Sequence, residues 1–162
     1  MNIISDTGPI IALAKIGRLH LLKSLFDKVY ITPYVFKELM AKTGDEAEEI
    51  EKALNEFITI GEFGKTAAEV EITLKDLGRG ERQCIEFAST SKSDFMLLMD
   101  DKAARQAAQK LNIPTTGTIG ILITAKNYGL VENVTRILQE MREKGYWLSD
   151  NIIETARKLT RE

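Results

Sequence analysis

Five acidic side chains follow predicted strands or lie in the first two turns of predicted helices: Asp6, Glu38, Glu81, Asp100 and Asp101. Two carboxylates about 4 Å apart repel by about 4 kcal/mol at an effective dielectric constant near 20, so such a cluster needs a cation or added protons. Oxygen ligands favour hard ions, here Mg²⁺ or Mn²⁺. Such an ion activates water and neutralises charge on phosphate, so the cluster predicts hydrolysis of phosphate esters or phosphodiesters.

Each acid also has a structural explanation when it is taken singly. Asp6 could cap the helix that follows it, and Glu81 could face the positive end of its helix dipole. Either Asp100 or Asp101 is expected to cap the next helix, and Glu38 could be a solvated helix position. The functional prediction therefore rests on the five residues as a set.

The elements that must position these acids alternate between short β-branched runs and longer helical patterns. This alternation predicts an α/β domain with a parallel sheet. Ligands of open α/β sheets usually lie beyond the carboxyl ends of the strands, which is where these acids would be delivered. The predicted strands cover residues 2–5, 29–32, 95–99 and 113–116, with a less distinct one at 58–60.

The helical patterns cover most of the remaining chain. They include residues 9–17, 18–26, 33–42, 102–111 and 118–129, and a charged amphipathic region within residues 43–76 whose topology the sequence leaves open. The last 30 or so residues predict two more helices joined near Gly145, with Tyr146 and Trp147 expected to pack at the junction. No linker or repeat interrupts the sequence, so we expect a single domain over residues 1–162.

Composition narrows the class of protein. The chain has 162 residues, of which 44% are apolar, a net charge of −2 and a pI of about 5.6, so it has no overall basic field and must hold a polyanion locally. No apolar run approaches the roughly 18 residues of a membrane helix and no signal peptide is recognisable, so we expect a cytoplasmic protein. One cysteine and one histidine exclude an internal disulfide and the usual zinc sites.

The ordered motifs resemble those of the PIN-domain family of metal-dependent ribonucleases, which includes the VapC toxins of toxin–antitoxin modules. The matching segments are SDTGPIIALAKI, ITPYVFKEL, LGRGERQCIEFA, LLMDDKAAR and TTGTIGILITAK. The likeness covers essentially the whole chain and is strongest to small prokaryotic PIN-like proteins known only as a domain of unknown function. It implies a three-layer α/β/α fold with a central parallel sheet of four to five strands and a helical C-terminal tail.

The resemblance also implies a function and a set of site residues. It implies hydrolysis of RNA phosphodiester bonds with Mg²⁺ or Mn²⁺, a small antitoxin protein as a partner, and a homodimer. Its catalytic and metal-binding acids are Asp6, Glu38, Glu81 and Asp100. Asp6 and Asp100 are expected to bind the metal directly, and Glu38 and Glu81 to bind it directly or through water and to orient the attacking water. Asp101 would adjoin the metal or cap its helix, and Thr116 or Thr118 would support metal or phosphate.

Two departures from the family pattern bear on activity. Gly8 stands where many relatives have serine or asparagine, so a hydroxyl is missing unless Ser5 or Thr7 replaces it, and Glu81 stands where many have aspartate. Gly8 also counts against a haloacid-dehalogenase-like phosphatase, and Gln83 interrupts the only approximation to a dinucleotide fingerprint. The alternative left open is a non-catalytic PIN-fold module that binds RNA or a protein partner.

Overall fold

The computed structural model describes residues 1–41 and 44–162. The chain divides into two compact units, residues 1–117 and 118–162. Lys42 and Thr43, the ends of two helical segments predicted from the sequence, lie outside the described residues. The first unit contains the sheet and the five acids, and the second is helical.

The strands and helices follow one another in a regular order. The strands are β1 (Asn2–Ser5), β2 (Val29–Ile31), β3 (Ile58–Ile60), β4 (Phe95–Leu98) and β5 (Thr115–Thr116). The helices of the first unit are α1 (Thr7–Lys15), α2 (His20–Leu25), α3 (Pro33–Met40), α4 (Ala47–Glu56), α5 (Ala68–Leu74), α6 (Arg79–Thr90) and α7 (Lys102–Lys110). Those of the second are α8 (Thr118–Asn127), α9 (Val134–Glu143) and α10 (Asp150–Thr160). All five predicted strands are confirmed, including the less distinct one at 58–60.

Within the described residues, the five strands form one parallel sheet in the order β3-β2-β1-β4-β5. Strand β1 is central: Ile3 pairs with Val29 on one side and with Met96 on the other. Ile3 and Ile4 are fully buried. A strand buried on both faces reads as an unbroken apolar run, which explains why the NIIS segment shows no polar alternation.

The strand order makes the sheet doubly wound. From β1 the chain runs outward to β2 and β3, and then crosses to β4 and β5 on the other side. Right-handed crossovers place the helices of these two halves on opposite faces. Helix α1 contacts α3 and α4, while α6 contacts α5 and α7. The predicted three-layer α/β/α fold is confirmed, and its topological switch point lies between β1 and β4, where such folds bind ligands.

An aromatic cluster fixes α6 against the sheet. The ring of Phe87 on α6 lies 5.4 Å from that of Phe95 in β4 and 5.7 Å from that of Tyr30 in β2. Offset and edge-to-face pairs at these centroid distances are favourable beyond the area they bury. This packing sets the position of the first turn of α6, which carries Glu81.

The second unit consists of α8, α9 and α10, and Glu162 holds part of it together. The Glu162 carboxylate accepts hydrogen bonds from the Val134 and Thr135 amides at 2.6 and 2.7 Å and from Lys126 Nζ at 2.8 Å. Burial opposes its ionised form, but these donors outweigh burial and lower the pKa of Glu162 to about 2. Two tail helices were predicted, and α9 and α10 confirm them.

The prediction for Trp147 is wrong. Its side chain is 85% exposed in the loop between α9 and α10, so it does not pack at the helix junction. Apolar character predicts burial only on average, since more than half of a folded protein's surface is apolar. In the part of the chain that the structure describes, no helix is both long and apolar enough to span a membrane.

Candidate active site

Asp6 lies at the carboxyl end of β1, at the switch point of the sheet. Its amide donates to the Leu98 carbonyl of β4 at 2.9 Å, which fixes its backbone between the two central strands. Asp6 precedes α1 as the N-cap residue, but its side chain makes no capping hydrogen bond. Burial, together with the negative charges of Glu81, Glu38 and Asp100, raises the pKa of Asp6 to about 6, although the Thr7 amide opposes the rise.

Glu38 meets Asp6 across a narrow gap at Gly80. Helices α3 and α6 contact each other, which brings the two glutamate-bearing segments together. A Cβ built on Gly80 would lie 3.2 Å from Asp6 Oδ1 and 3.2 Å from Glu38 Oε1. The two oxygens therefore border a gap that exists only because residue 80 has no side chain. The Thr7 hydroxyl donates to Glu38 Oε1 at 2.7 Å and holds that carboxylate in place.

Glu81 enters the same region from the first turn of α6. Its carboxylate lies over Gly78, the N-cap residue, so that a Cβ there would be 2.5 Å from Glu81 Oε2. Cys84 lies one turn further along α6 and is fully buried. Burial, and then the charges of Asp6, Glu81 and Glu38, raise the pKa of its thiol well above the usual range. The Cys84 thiol is thus close enough to Asp6, Glu81 and Glu38 to feel the charges of all three.

Asp100 and Asp101 follow β4 and face different surroundings. Asp101 is the N-cap of α7, and its Oδ1 accepts from the Ala104 amide at 2.8 Å, so it is the capping member of the pair. Asp100 is exposed at the strand end, and its charge acts on Asp6. A Cβ on Gly117 would lie 2.8 Å from Asp100 Oδ1 and 3.2 Å from Arg105 Nη1. Asp100 therefore belongs to the acidic group, while the metal role assigned to Asp101 stays a prediction.

The hydroxyl groups around the site have defined partners. Ser5 Oγ donates to the Asp6 carbonyl at 2.9 Å, and Thr7 donates to Glu38, so the two candidates to replace the hydroxyl missing at Gly8 both donate their protons elsewhere. Thr116 lies in β5, and its hydroxyl is 3.5 Å from the Gly117 carbonyl. Thr118 is buried at the start of α8 in the second unit.

The acidic residues fit a hard divalent cation in chemistry and in available space. All the candidate ligands are carboxylates, and the Gly80 gap leaves room between Asp6 and Glu38 that any side chain would fill. Ionising the buried Asp6 carboxyl costs free energy, and a nearby cation would remove that cost. Among residues 1–41 and 44–162, no three carboxylate, histidine or cysteine side chains already stand at the spacing of one ligand set. Ligation by three acids would therefore require side-chain rotation about the gap.

Comparison with known families agrees with this geometry. A family model described as a PIN domain, and otherwise known as a domain of unknown function, matches residues 2–162. The chain belongs to the PIN-domain family. A comparison with curated proteins finds no sequence that matches it. PIN domains are generally nucleases that act on nucleic acid with divalent metals, so membership indicates a nuclease-type function.

The roles of three residues of this PIN domain's site did not emerge from the sequence, although Thr7 was a candidate for the missing hydroxyl. Thr7 holds Glu38, Gly80 leaves the gap open, and Tyr34 borders that gap with its ring 3.5 Å from the Cβ position of Gly80. A glycine directly before a candidate acid in the first turn of a helix was the one available signal. Its meaning depends on two carboxylates that are distant in sequence.

Proposed function

We propose that this PIN domain is a Mg²⁺- or Mn²⁺-dependent endoribonuclease that hydrolyses RNA phosphodiester bonds. The single observation that carries the proposal is the convergence of Asp6 and Glu38 on the Gly80 gap, with Glu81 beside it. Burial, together with the charges of Glu81, Glu38 and Asp100, raises the pKa of Asp6 to about 6, which is costly for a fold, and a cation site accounts for this placement.

Each acid has a defined task in this proposal. Asp6, Glu38, Glu81 and Asp100 would hold the ion, which lowers the pKa of water and neutralises charge on the phosphate when bound. Thr7 fixes Glu38 Oε1, the oxygen that borders the gap, and Glu38 and Glu81 orient the attacking water. Thr116 and Thr118 are proposed to support the metal or the phosphate, and Asp101 to position Asp100 by capping α7.

The activity is tested with a mixed pool of single-stranded and structured RNA and a DNA pool of matched sequence. We expect the wild type to cleave RNA with Mg²⁺ or Mn²⁺, and EDTA or Asp6→Asn to abolish cleavage. Asp45→Asn is a suitable control because that exposed acid lies between α3 and α4, outside the site. RNA binding without cleavage, together with no Mn²⁺ binding by calorimetry, would favour the non-catalytic alternative.

The biological role that we propose is that of a toxin in a toxin–antitoxin module, acting as a homodimer with a small antitoxin protein. Its support is the resemblance of the ordered motifs to VapC toxins. Induced expression of the wild type should arrest bacterial growth, whereas Asp6→Asn should not. Light scattering at several concentrations should give twice the chain mass if the dimer forms, and a monomer at all concentrations would contradict it.

A further inference from the structure

An open cavity of about 520 Å³ lies beside the acidic residues, along the exposed side of α6. It is lined by Leu77, Arg79, Arg82, Gln83 and Glu86. Two of these five residues are arginines, in a protein whose net charge is −2. The cavity is therefore a local basic site in a protein that has no overall positive charge.

Tyr34 connects this cavity to the Gly80 gap. The guanidinium of Arg79 lies over the Tyr34 ring, 5.6 Å from its centroid, and the same ring borders the Cβ position of Gly80 at 3.5 Å. Among the residues that the structure describes, Arg79 makes this ring contact and no ion pair with a carboxylate. Stacking on an aromatic face leaves the donor edges of an arginine free to bind an anion.

Arg82 is held only loosely. Its Nη2 lies 3.6 Å from Glu86 Oε1, one turn along the helix, and its side chain remains 36% exposed. Glu86 is only 16% exposed, but a contact of 3.6 Å is longer than a hydrogen bond and the ion pair is weak, so a phosphate can compete for Arg82. A bidentate guanidinium–phosphate contact is much the stronger interaction.

Both arginines lie in the first two turns of α6, at the end of the helix that carries a partial positive charge. Cations are disfavoured there and anions are favoured, so local helix stability does not explain the two side chains. An anionic ligand would gain from the arginines and from the helix end together. The repulsion that RNA meets at four nearby carboxylates makes such a cationic neighbour useful for binding.

We propose that this cavity binds a backbone phosphate of RNA adjacent to the phosphate that lies at the Gly80 gap. Arg79 and Arg82 contact the phosphate, and Tyr34 is a positioning residue that holds Arg79. The adjacency rests on the proposed nuclease function, since it takes the Gly80 gap as the place of cleavage. Binding by the two arginines can be measured without cleavage.

The test is binding of a fluorescein-labelled single-stranded RNA 12-mer in EDTA, followed by anisotropy between 50 and 200 mM KCl. We expect Arg79→Gln and Arg82→Gln each to weaken binding about three- to tenfold. The double variant should reduce the slope of log K against log salt by about 0.7, since the loss of one single-strand phosphate contact removes about that much. Arg82→Lys should keep the wild-type slope, and Tyr34→Leu, but not Tyr34→Phe, should weaken binding as Arg79→Gln does.

Arg136→Gln is the matched control. Arg136 forms the same kind of ion pair one turn apart, with Glu140 at 3.7 Å, but does not line the cavity. Wild-type affinity and slope in the double variant would overturn the proposal, as would failure of the wild type to bind the RNA at 50 mM KCl. Arginine-dependent binding without metal-dependent cleavage would support the cavity while the nuclease function fails. If the protein cleaves RNA but its binding does not depend on the two arginines, the nuclease function would stand and the cavity proposal would fail.

Discussion

Gly80→Ala should separate metal binding from folding. The added methyl would lie 3.2 Å from both Asp6 Oδ1 and Glu38 Oε1, closer than the 3.4–4 Å of ordinary contact. Each carboxylate must therefore move by a few tenths of an ångström, and the methyl then occupies the gap that we assign to the ion. The site is changed without loss of any hydrogen-bonding or charged group.

The effect on folding is small because two terms oppose each other. Replacing glycine by alanine in a helix stabilises the folded state by about 0.5–1 kcal/mol, and the displacement of the carboxylates offsets that gain. The unfolding free energy in EDTA should therefore stay within about 1 kcal/mol of wild type. Mn²⁺ affinity should fall at least tenfold, or about 1.4 kcal/mol, and RNA cleavage should fall with it.

Gly8→Ala is the matched control for this experiment. Gly8 occupies the same second position of α1 that Gly80 occupies in α6, and a Cβ there meets nothing within 4 Å. Gly8→Ala should therefore keep wild-type metal affinity in calorimetry and a similar urea midpoint. Equal Mn²⁺ affinity in Gly80→Ala and wild type would refute the assignment of the gap as the metal position.

Four further substitutions test other parts of the structure. Asp6→Asn should raise the unfolding free energy of the metal-free protein at pH 7.5 by up to about 3 kcal/mol. The folded state raises the pKa of the Asp6 carboxyl from 3.8 to about 6, so ionisation penalises that state increasingly as pH rises through this window. Urea unfolding in EDTA should show that gain vanish below pH 4, where the carboxyl is protonated in both states, and a gain that persists at pH 3 would contradict this explanation. Thr7→Val should cost about 1 kcal/mol and lower the cleavage rate, because Glu38 loses its 2.7 Å donor, whereas Thr7→Ser should retain both stability and rate. Gly8→Ser should fold as wild type and cleave faster, because it adds a hydroxyl beside Asp6 in open space; an unchanged rate would show that the missing hydroxyl is immaterial. Glu162→Gln should lower stability at pH 7 by about 2 kcal/mol after allowance for solvent screening. Thermal unfolding should show this difference shrink as pH falls from 4.5 towards 2, because the wild-type carboxylate then becomes protonated.

The strands were predictable because their physical cause is local. Runs such as Asn2–Ser5 and Phe95–Leu98 are largely apolar, and each is followed within three residues by a helix N-cap, Asp6 or Asp101. A strand buried on both faces needs no information from elsewhere in the chain to be recognised. The same is true of the cap between β4 and α7, although the choice of Asp101 over Asp100 needed the backbone geometry.

The gap and the basic cavity were not predictable because they depend on distant pairs. Gly80 gains its role from Asp6 and Glu38, which are 74 and 42 positions away. Arg79 is an unremarkable surface residue until Tyr34 lies beneath it. Trp147 shows the converse error, since apolar character suggested packing where the helices offered no surface for it.

The position of β1 between β2 and β4 also determines when the site can exist. Strand β1 pairs with residues 26 positions later on one side, as Ile3 with Val29, and 93 positions later on the other, as Asn2 with Phe95. Such long-range parallel pairings form slowly, because the intervening chain must first lose its freedom. Until β4 docks, Asp6 and Asp100 are far apart and their mutual repulsion is absent. The acidic site therefore depends on a pairing that spans 93 positions, and about a hundred residues must leave the ribosome before it can assemble.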